Sequence, residues 1–403
     1  MHDPRNAVAP AARTSSGRRL ALGALAGALA LSASSGIAAA ATHPASTRAH
    51  KASHAHKPKS ASQFYASVEK GLTSLENGAP KGVSLLETGS TLLYPVISEW
   101  ASQYPTTKVT TAGTGSGAGI SDASNGTVQI GASDAYLPAS ASSNLLDIPV
   151  DVSAQQIDYN LPGLAGKHHL HLNATVINDI YDGKITKWNN SAIASLNPGV
   201  KLPNMTIVPF HRSDGSGDTF MFSSYLAFQD KSSWVPSHGG PNTSITWPSN
   251  QNALAEQGNG GMLAGCEKTP GCIAYIGISW LRSALKAGLG DAQIANGSGN
   301  YVLPTPGNIS SEVASFHDVP ASGAISLINS KSAKYGYPIV NFEYAIVNAK
   351  QSSTKTADAI KAFLAWGMDP RHGSSTKDLT KFYFHPLAPG AMQIAVNLLN
   401  KIG

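Results

Sequence analysis

Three short turns built from Gly, Ser and Thr have the composition of an anion-binding site. Each stands directly before a segment with helical spacing, where free backbone N–H groups, the helix macrodipole and flanking hydroxyls attract negative charge. Small residues also let a ligand approach the backbone closely. A single turn of this kind is explained equally well by helix capping, but three in one chain favour an anion site. The turns are Gly89-Ser90-Thr91, Gly115-Ser116-Gly117 and Gly215-Ser216-Gly217.

A guanidinium group stands next to the third turn. Arg212 precedes it in His-Arg-Ser-Asp-Gly-Ser-Gly-Asp-Thr-Phe, and a planar guanidinium can bind two oxygens of an oxyanion. Asp214 is placed to orient that guanidinium. The local sequence alone also allows Arg212 to form an ordinary surface salt bridge.

A carboxylate near these turns indicates which anion could bind. Asp134, in Gly-Ala-Ser-Asp-Ala, would repel a fully ionised oxyanion such as sulfate, and the penalty in a desolvated pocket is several kcal/mol. Phosphate near neutral pH still carries a proton that an ionised carboxylate can accept. Asp134 therefore predicts selection for a protonated oxyanion. Asp218 could be a second acceptor, although an acid in the first turn of a helix is also a routine stabiliser.

These residues fall between short β-branched runs and segments of helical periodicity, which alternate along the chain. Such alternation predicts an α/β protein with helices on the faces of its sheets. The predicted strands are 83–88, 108–111, 128–133, 205–210, 273–280 and 339–347, and the predicted helices are 92–104, 120–125, 219–228, 357–366 and 391–401.

At these residues the chain resembles the substrate-binding proteins of phosphate ABC importers, the PstS family. The resemblance runs from about residue 82 to the end. It rests on several spaced motifs in order: Gly-Ser-Thr-Leu-Leu-Tyr-Pro-Val at 89–96, Gly-Thr-Gly-Ser-Gly-Ala-Gly at 113–119, Gly-Ala-Ser-Asp-Ala at 131–135 and the stretch at 211–220. Asp-Ile-Tyr-Asp-Gly-Lys-Ile-Thr-Lys-Trp-Asn at 179–189 is similar as well.

The resemblance implies a periplasmic-binding-protein type II fold, with two lobes of mixed sheets joined by a hinge and closing over one phosphate ion. Lobe 1 would comprise residues 82–157 and a return segment, 339–403, and lobe 2 would comprise 158–338. The partners implied are inorganic phosphate and a membrane ABC permease, without a cofactor, a metal or enzymatic activity. The phosphate-binding residues implied are Thr91, Leu92, Ser116, Asp134, Arg212, Ser216, Gly217 and Asp218, with Asp214 orienting the arginine.

Two positions depart from the family pattern. Leu92 stands where an aromatic residue is often found, which is tolerable if only its backbone N–H contacts the ligand. Asp218 stands where some members have Thr, and a second carboxylate predicts a preference for a more protonated phosphate.

Two other functions fit parts of the sequence. A secreted phosphatase or serine hydrolase could use Ser216 with the nearby His211, but Asp214 and Asp218 occupy the places where a serine elbow has glycines. A receptor for another oxyanion, such as sulfate, would keep the fold and change the ligand.

The positive charge of the chain lies at its beginning. The formal net charge is +5, yet beyond residue 61 acidic residues outnumber basic residues by two. A general polyanion-binding surface is therefore not expected, and the sequence predicts no nucleic-acid partner.

Residues 1–41 have the pattern of a signal peptide, with Arg18-Arg19, an apolar run from Leu20 to Leu31 and small residues up to Ala41. The run is shorter than the about 20 residues of a membrane span. Residues 42–81 are predicted to be a disordered basic linker. The protein is expected to be exported to the periplasm, cell envelope or medium, without a lipid-anchor cysteine. The two cysteines, Cys266 and Cys272, predict a small loop disulfide.

Overall fold

A computed structural model describes residues 61–164, 166–316, 318–328 and 333–403 of the chain. The predicted signal peptide and residues 42–60 lie outside these ranges. The strands are β1 (Ser84–Gly89), β2 (Lys108–Gly113), β3 (Ile130–Ser133), β4 (Leu145–Tyr159), β5 (His171–Leu172), β6 (Val208–Arg212), β7 (Leu254–Glu256), β8 (Cys272–Gly277), β9 (Gly290–Asp291), β10 (Gln293–Ala295), β11 (Tyr301–Val302) and β12 (Val340–Asn348).

The helices lie between these strands and after them. They are α1 (Ala61–Glu76), α2 (Tyr94–Gln103), α3 (Ser116–Asn125), α4 (Ala174–Tyr181), α5 (Ser191–Leu196), α6 (Gly217–Gln229), α7 (Lys231–His238), α8 (Gly258–Lys268), α9 (Leu281–Lys286), α10 (Pro306–Val313), α11 (Thr354–Met368), α12 (Thr376–Leu379) and α13 (Pro389–Leu399), with a 3₁₀ helix at Ile278–Trp280.

Nine of the described strands form one mixed sheet, which confirms the predicted α/β class. The order is β2-β1-β3-β12-β4-β8-β6-β7, and β9 pairs with β4 off this path. Strands β1, β2 and β3 are parallel, and so are β6, β7 and β8, whereas β12 and β4 run antiparallel to their neighbours. A second sheet of three strands has the order β11-β10-β5.

Strand β4 belongs to both halves of the large sheet. Its residues 145–154 pair with β12, and its residues 155–159 pair with β8. One half therefore consists of β2, β1, β3 and β12, the other of β8, β6 and β7, and β4 connects them. The lobe boundaries stated above, at 157/158 and 338/339, remain predictions.

Helix α1 corrects one expectation. The linker was predicted to extend to residue 81, but residues 61–76 form this helix. Phe64, Val68, Leu72 and Leu75 recur at helical spacing, and Val68 and Leu72 are fully buried in the core. The helix contacts α11 and α13, so burial of this apolar face offsets the entropy lost on ordering the segment.

The two cysteines are bonded to each other, with their Cα atoms 5.3 Å apart. The bond links the end of α8 to the start of β8, and both residues are buried. No helix among the described residues has both the length and the apolar composition of a membrane span.

Candidate anion-binding site

The three turns lie where parallel strands end. The first follows β1, the second follows β2 and leads into α3, and the third follows β6 and leads into α6. The amide N–H of Gly117 donates to the carbonyl oxygen of Gly215 at 2.8 Å. The second and third turns, from opposite halves of the sheet, are thus in direct contact, and the helix starts they precede lie close together.

Asp134 follows β3 and lies in the centre of this region, with 1 % of its surface exposed. Its carboxylate accepts from the hydroxyl of Ser90 and, at 3.3 Å, from that of Ser116. Its backbone carbonyl accepts from Asn341 Nδ2 at 2.8 Å. Burial raises the pKa of Asp134, and the hydroxyls and the charge of Arg212 oppose that rise. The side chain is therefore a fixed hydrogen-bond acceptor inside a cluster of donors.

Arg212, at the end of β6, is buried and held by two carboxylates. Its Nε donates to Asp214 Oδ1 at 2.7 Å, Nη2 donates to Asp214 Oδ2 at 2.5 Å, and Nη1 donates to Asp218 Oδ2 at 2.8 Å. The side chain of Arg212 is only 1 % exposed. A guanidinium has five N–H donors, so one N–H on each of Nη1 and Nη2 is left for a ligand after these contacts.

Asp218 lies in the first turn of α6 and is fully buried. Its Oδ2 accepts from Arg212 and from Asn259 Nδ2 at 2.7 Å, and its Oδ1 accepts from Gln155 Nε2 at 3.1 Å. Burial, reinforced by the charge of Asp134, raises the pKa of Asp218 to about 7, against the lowering effect of Arg212. Both oxygens already contact protein donors, and a direct contact with phosphate remains a prediction.

Ser216 and Gly217 bring the start of α6 to Asp134. Ser216 Oγ caps the helix by accepting from the N–H of Thr219 at 3.2 Å. Gly217 lies so close to Asp134 that a Cβ atom on it would be 2.4 Å from Asp134 Oδ2. Only glycine fits there, and the start of the helix faces the carboxylate directly.

The first turn contacts both Asp134 and helix α8. Thr91 Oγ1 accepts from the backbone N–H of Asn259 at 3.1 Å and from its Nδ2 at 3.0 Å. The N–H of Leu92 donates to Ser90 Oγ at 3.1 Å. Ser90, which was not predicted to be a site residue, is the member of this turn that contacts Asp134. Thr91 instead connects α8 to the other half of the sheet.

Four residues of the site escaped prediction: Ser90, Gln155, Asn259 and Glu343. Ser90 belongs to a turn that the sequence analysis identified, so its hydroxyl could have been predicted to be a site donor. The other three are buried polar side chains on β4, α8 and β12. No local motif surrounds them, and only the packing of these elements brings them to Asp134 and Asp218.

His211 and Ser216, the residues of the hydrolase alternative, contact other groups in the described part of the chain. Neighbouring residues on a strand face opposite ways, so His211 is directed away from the side that carries Arg212. Its ring stacks on Trp247 with 4.7 Å between centroids. Ser216 Oγ meanwhile serves as the cap of α6.

One cluster elsewhere has the composition of a cation site. Glu76, Asp369 and His372 each place a ligand atom within 4.8 Å of the others. Arg371 donates from its backbone N–H and from Nε to Asp369 Oδ1, both at 2.8 Å. A positive charge from the protein therefore already compensates this cluster, which lies outside the turns described above.

The fold and the paired turns define a class of binding protein. The model of the PBP superfamily domain matches residues 28–371, so the chain belongs to that superfamily. Within it, the chain belongs to the PstS family. It is 31 % identical over 325 residues to the phosphate-binding protein PstS of Methanocaldococcus jannaschii, covering 73 % of this chain and 82 % of the relative.

Other relatives agree with this placement. PstS of Xylella fastidiosa strain 9a5c is 28 % identical over 319 residues, which cover 78 % of this chain and 84 % of that protein. The crystal structure of a phosphate-binding protein from Stenotrophomonas maltophilia has the same fold. Its TM-score is 0.60 at 18 % identity, over 77 % of this chain and 92 % of the other.

Proposed function

We propose that this protein binds one inorganic phosphate ion between the two halves of its sheet and delivers it to an ABC-type phosphate importer in the membrane. The observation that carries the proposal is a buried carboxylate, Asp134, surrounded by groups that attract anions. The start of α6 and the guanidinium of Arg212 supply hydrogen-bond donors for an anion, and the hydroxyls of Ser90 and Ser116 donate to Asp134. Asp134 supplies the acceptor that a protonated oxyanion needs and a fully ionised oxyanion cannot use.

The relatives support the choice of ligand. Both PstS proteins compared above carry phosphate binding in their names, and the motifs that hold Asp134 and Arg212 are those on which the resemblance rests. The predicted export signal at residues 1–41 fits delivery to an importer from outside the membrane. The final location and the permease contacts remain part of this proposal.

Asp134 gives the sharpest test of the ligand. Calorimetry with phosphate and with sulfate, at two pH values, is expected to show binding of phosphate and a strong preference over sulfate. In Asp134→Asn this preference is expected to fall by at least about tenfold, because an amide can donate to an oxyanion that has no proton.

Asp358→Asn is a matched control. It removes a carboxylate of α11 whose side chain is 37 % exposed, and it should leave both affinities unchanged. A wild-type protein that ignored phosphate, or bound sulfate equally well, would contradict the proposed function. If the wild type and Asp134→Asn had the same preference for phosphate over sulfate, only the role of Asp134 would be contradicted, not the proposed function.

The proposal also includes binding without turnover. A chromogenic phosphate monoester is expected to be stable in the presence of the protein, because Ser216 Oγ is committed to capping α6 and His211 faces away. Hydrolysis above the buffer rate that disappears in Ser216→Ala would instead establish the hydrolase alternative.

A further inference from the structure

Glu343 lies behind Asp134 and is completely buried. It belongs to β12, at the point where the register between β12 and β4 shifts. The hydroxyl of Ser153, on β4, donates to Glu343 Oε1 at 2.5 Å. The carboxyl group is thus fixed on the two strands that pass through the middle of the sheet, close to the proposed phosphate site.

The other oxygen, Glu343 Oε2, finds no donor among the described residues. The carboxyl group of Asp134 lies beside Glu343, because β12 pairs antiparallel with β3 and Tyr344 stands opposite Ser133, the residue before Asp134. Two carboxylates cannot hydrogen bond unless one of them carries a proton. Asp134 is held by Ser90, Ser116 and Asn341, so it cannot rotate away from this contact.

The acidic groups around Glu343 disfavour its ionisation. Asp218, on α6, adds a further negative charge. Asp151, its register partner on β4, is buried and accepts from Ser374 Oγ at 2.9 Å. Arg212 is paired with Asp214 and Asp218.

Arg212 favours the ionised form of Asp134 but does not offset the burial of Glu343. Burial, followed by the charge of Asp134, raises the pKa of Glu343 well above its ordinary value. Of the two acids, Asp134 has the additional hydroxyl donors and the influence of Arg212 that favour its ionised form. These contacts favour a proton on Glu343 and an ionised Asp134.

We propose that Glu343 is a specificity-determining positioning residue of the phosphate site, which retains its proton and donates a hydrogen bond to Asp134. This inference rests on the proposed function. The donated hydrogen bond keeps Asp134 ionised, and an ionised Asp134 accepts the proton of phosphate and repels sulfate. Glu343 itself does not touch the ligand.

The proposal has a consequence for pH. A group whose pKa is raised keeps its proton up to that raised value and loses it as the pH increases further. Once Glu343 ionises, two buried negative charges face each other and phosphate affinity falls. Gln at this position keeps an N–H donor and cannot ionise, so Glu343→Gln is expected to lack that part of the alkaline decline.

Removing the donor altogether should change selectivity. In Glu343→Leu, Asp134 loses the hydrogen bond that favours its ionised form, so its pKa rises further and a protonated Asp134 can donate to sulfate. The preference for phosphate over sulfate near neutral pH is expected to fall by about tenfold, the change that one pKa unit of Asp134 corresponds to. Glu343→Gln is expected to retain the preference.

The test compares the full chain and these two variants by calorimetry with phosphate and sulfate, from neutral to alkaline pH. Glu87→Gln is the matched control. Glu87 is a buried acid on β1 whose pKa burial raises to about 8, and its replacement should alter neither the phosphate preference nor its pH profile. Infrared spectroscopy without ligand supplies a second readout: the band of a protonated carboxylic acid should decrease in Glu343→Gln.

The outcomes separate the two proposals. If no protein, including the wild type, binds phosphate, the proposed function fails, while the infrared band still decides whether Glu343 is protonated. If the wild type binds phosphate but both variants reproduce its preference and pH profile, the role of Glu343 is overturned. An unchanged infrared spectrum in Glu343→Gln overturns it as well, even if Glu343→Leu does not fold.

Discussion

Replacing Arg212 with Met is expected to abolish measurable phosphate binding and to lower the free energy of unfolding by about 3–5 kcal/mol. The guanidinium is buried and donates to both Asp214 and Asp218. Methionine has a similar length but no charge, so it would leave the Asp218 carboxylate buried without its cation. Calorimetry with phosphate and urea-induced unfolding measure the two effects separately.

The loss of stability should depend on pH. Burial already raises the pKa of Asp218 to about 7, and Arg212 opposes that rise. Without Arg212 the folded-state pKa rises further, so the folded state binds more protons than the unfolded state over a wider range, and stability falls as the pH increases. The difference from the wild type should therefore be larger at about pH 8 than at about pH 5.

Arg282→Met provides the matched control, because it removes an exposed guanidinium from α9 and should affect neither property. An Arg212→Met protein that bound phosphate within about tenfold of the wild-type affinity would show that the buried cation does not bind the ligand. The expected loss follows from the charge-assisted hydrogen bonds that a guanidinium makes to an oxyanion.

The parts of the site that the sequence predicted are those carried by local motifs. Gly215, Ser216 and Gly217 combine a turn, a cap and a close backbone approach within a few residues, and Arg212 precedes them directly. Asp134 ends a short strand and follows small residues. Each of these features depends on neighbours in the sequence, so its physical meaning is visible before any tertiary contact is known.

Strand β4 was not predicted, although it is the longest strand among the described residues. It contains Pro149, Asp147, Asp151 and Asp158, residues that are depleted in strands. Nearly every position is nevertheless buried, because α13, α11 and α6 pack against the strand while β12 and β8 pair with its backbone. Its polar side chains are paired across the fold, for example Gln155 with Asp218. A strand that is buried on both faces and contains paired polar residues lacks the alternation of apolar and polar residues by which a strand is predicted.

The same reason explains the missed polar residues. Asn259 follows a glycine at the start of α8, and its amide joins Thr91 to Asp218. Glu343 lies in an otherwise apolar strand, where an acid is unfavourable unless it is protonated or paired. Both depend on partners that are distant in the sequence. Asn259 is 168 residues from Thr91 and 41 from Asp218, and Glu343 is 190 residues from Ser153. Spacing within a motif cannot reveal such pairs.

Gly217→Ala is expected to weaken phosphate binding by about tenfold to a hundredfold, in line with the 1–3 kcal/mol cost of overpacking. The added Cβ would lie 2.4 Å from Asp134 Oδ2 and 2.6 Å from its Cβ and Cγ atoms. Ser90, Ser116 and Asn341 hold Asp134 in place, so the clash can be relieved only if the start of α6 moves away. Calorimetry with phosphate measures the loss.

Gly217→Ala should lower the phosphate affinity without lowering the stability of the fold. Alanine is a good helix former, and the clash involves residues from opposite halves of the sheet, so unfolding by urea should be nearly unchanged in Gly217→Ala. Gly390→Ala is the matched control: Gly390 also lies in the first turn of a helix, α13, and a Cβ there would meet nothing within 4 Å. If Gly217→Ala bound phosphate within about twofold of the wild type, the close approach of α6 to Asp134 would not be required for binding. A loss of affinity confined to Gly217→Ala would instead locate the ligand at this contact, since the two alanine variants differ only in what the methyl group meets.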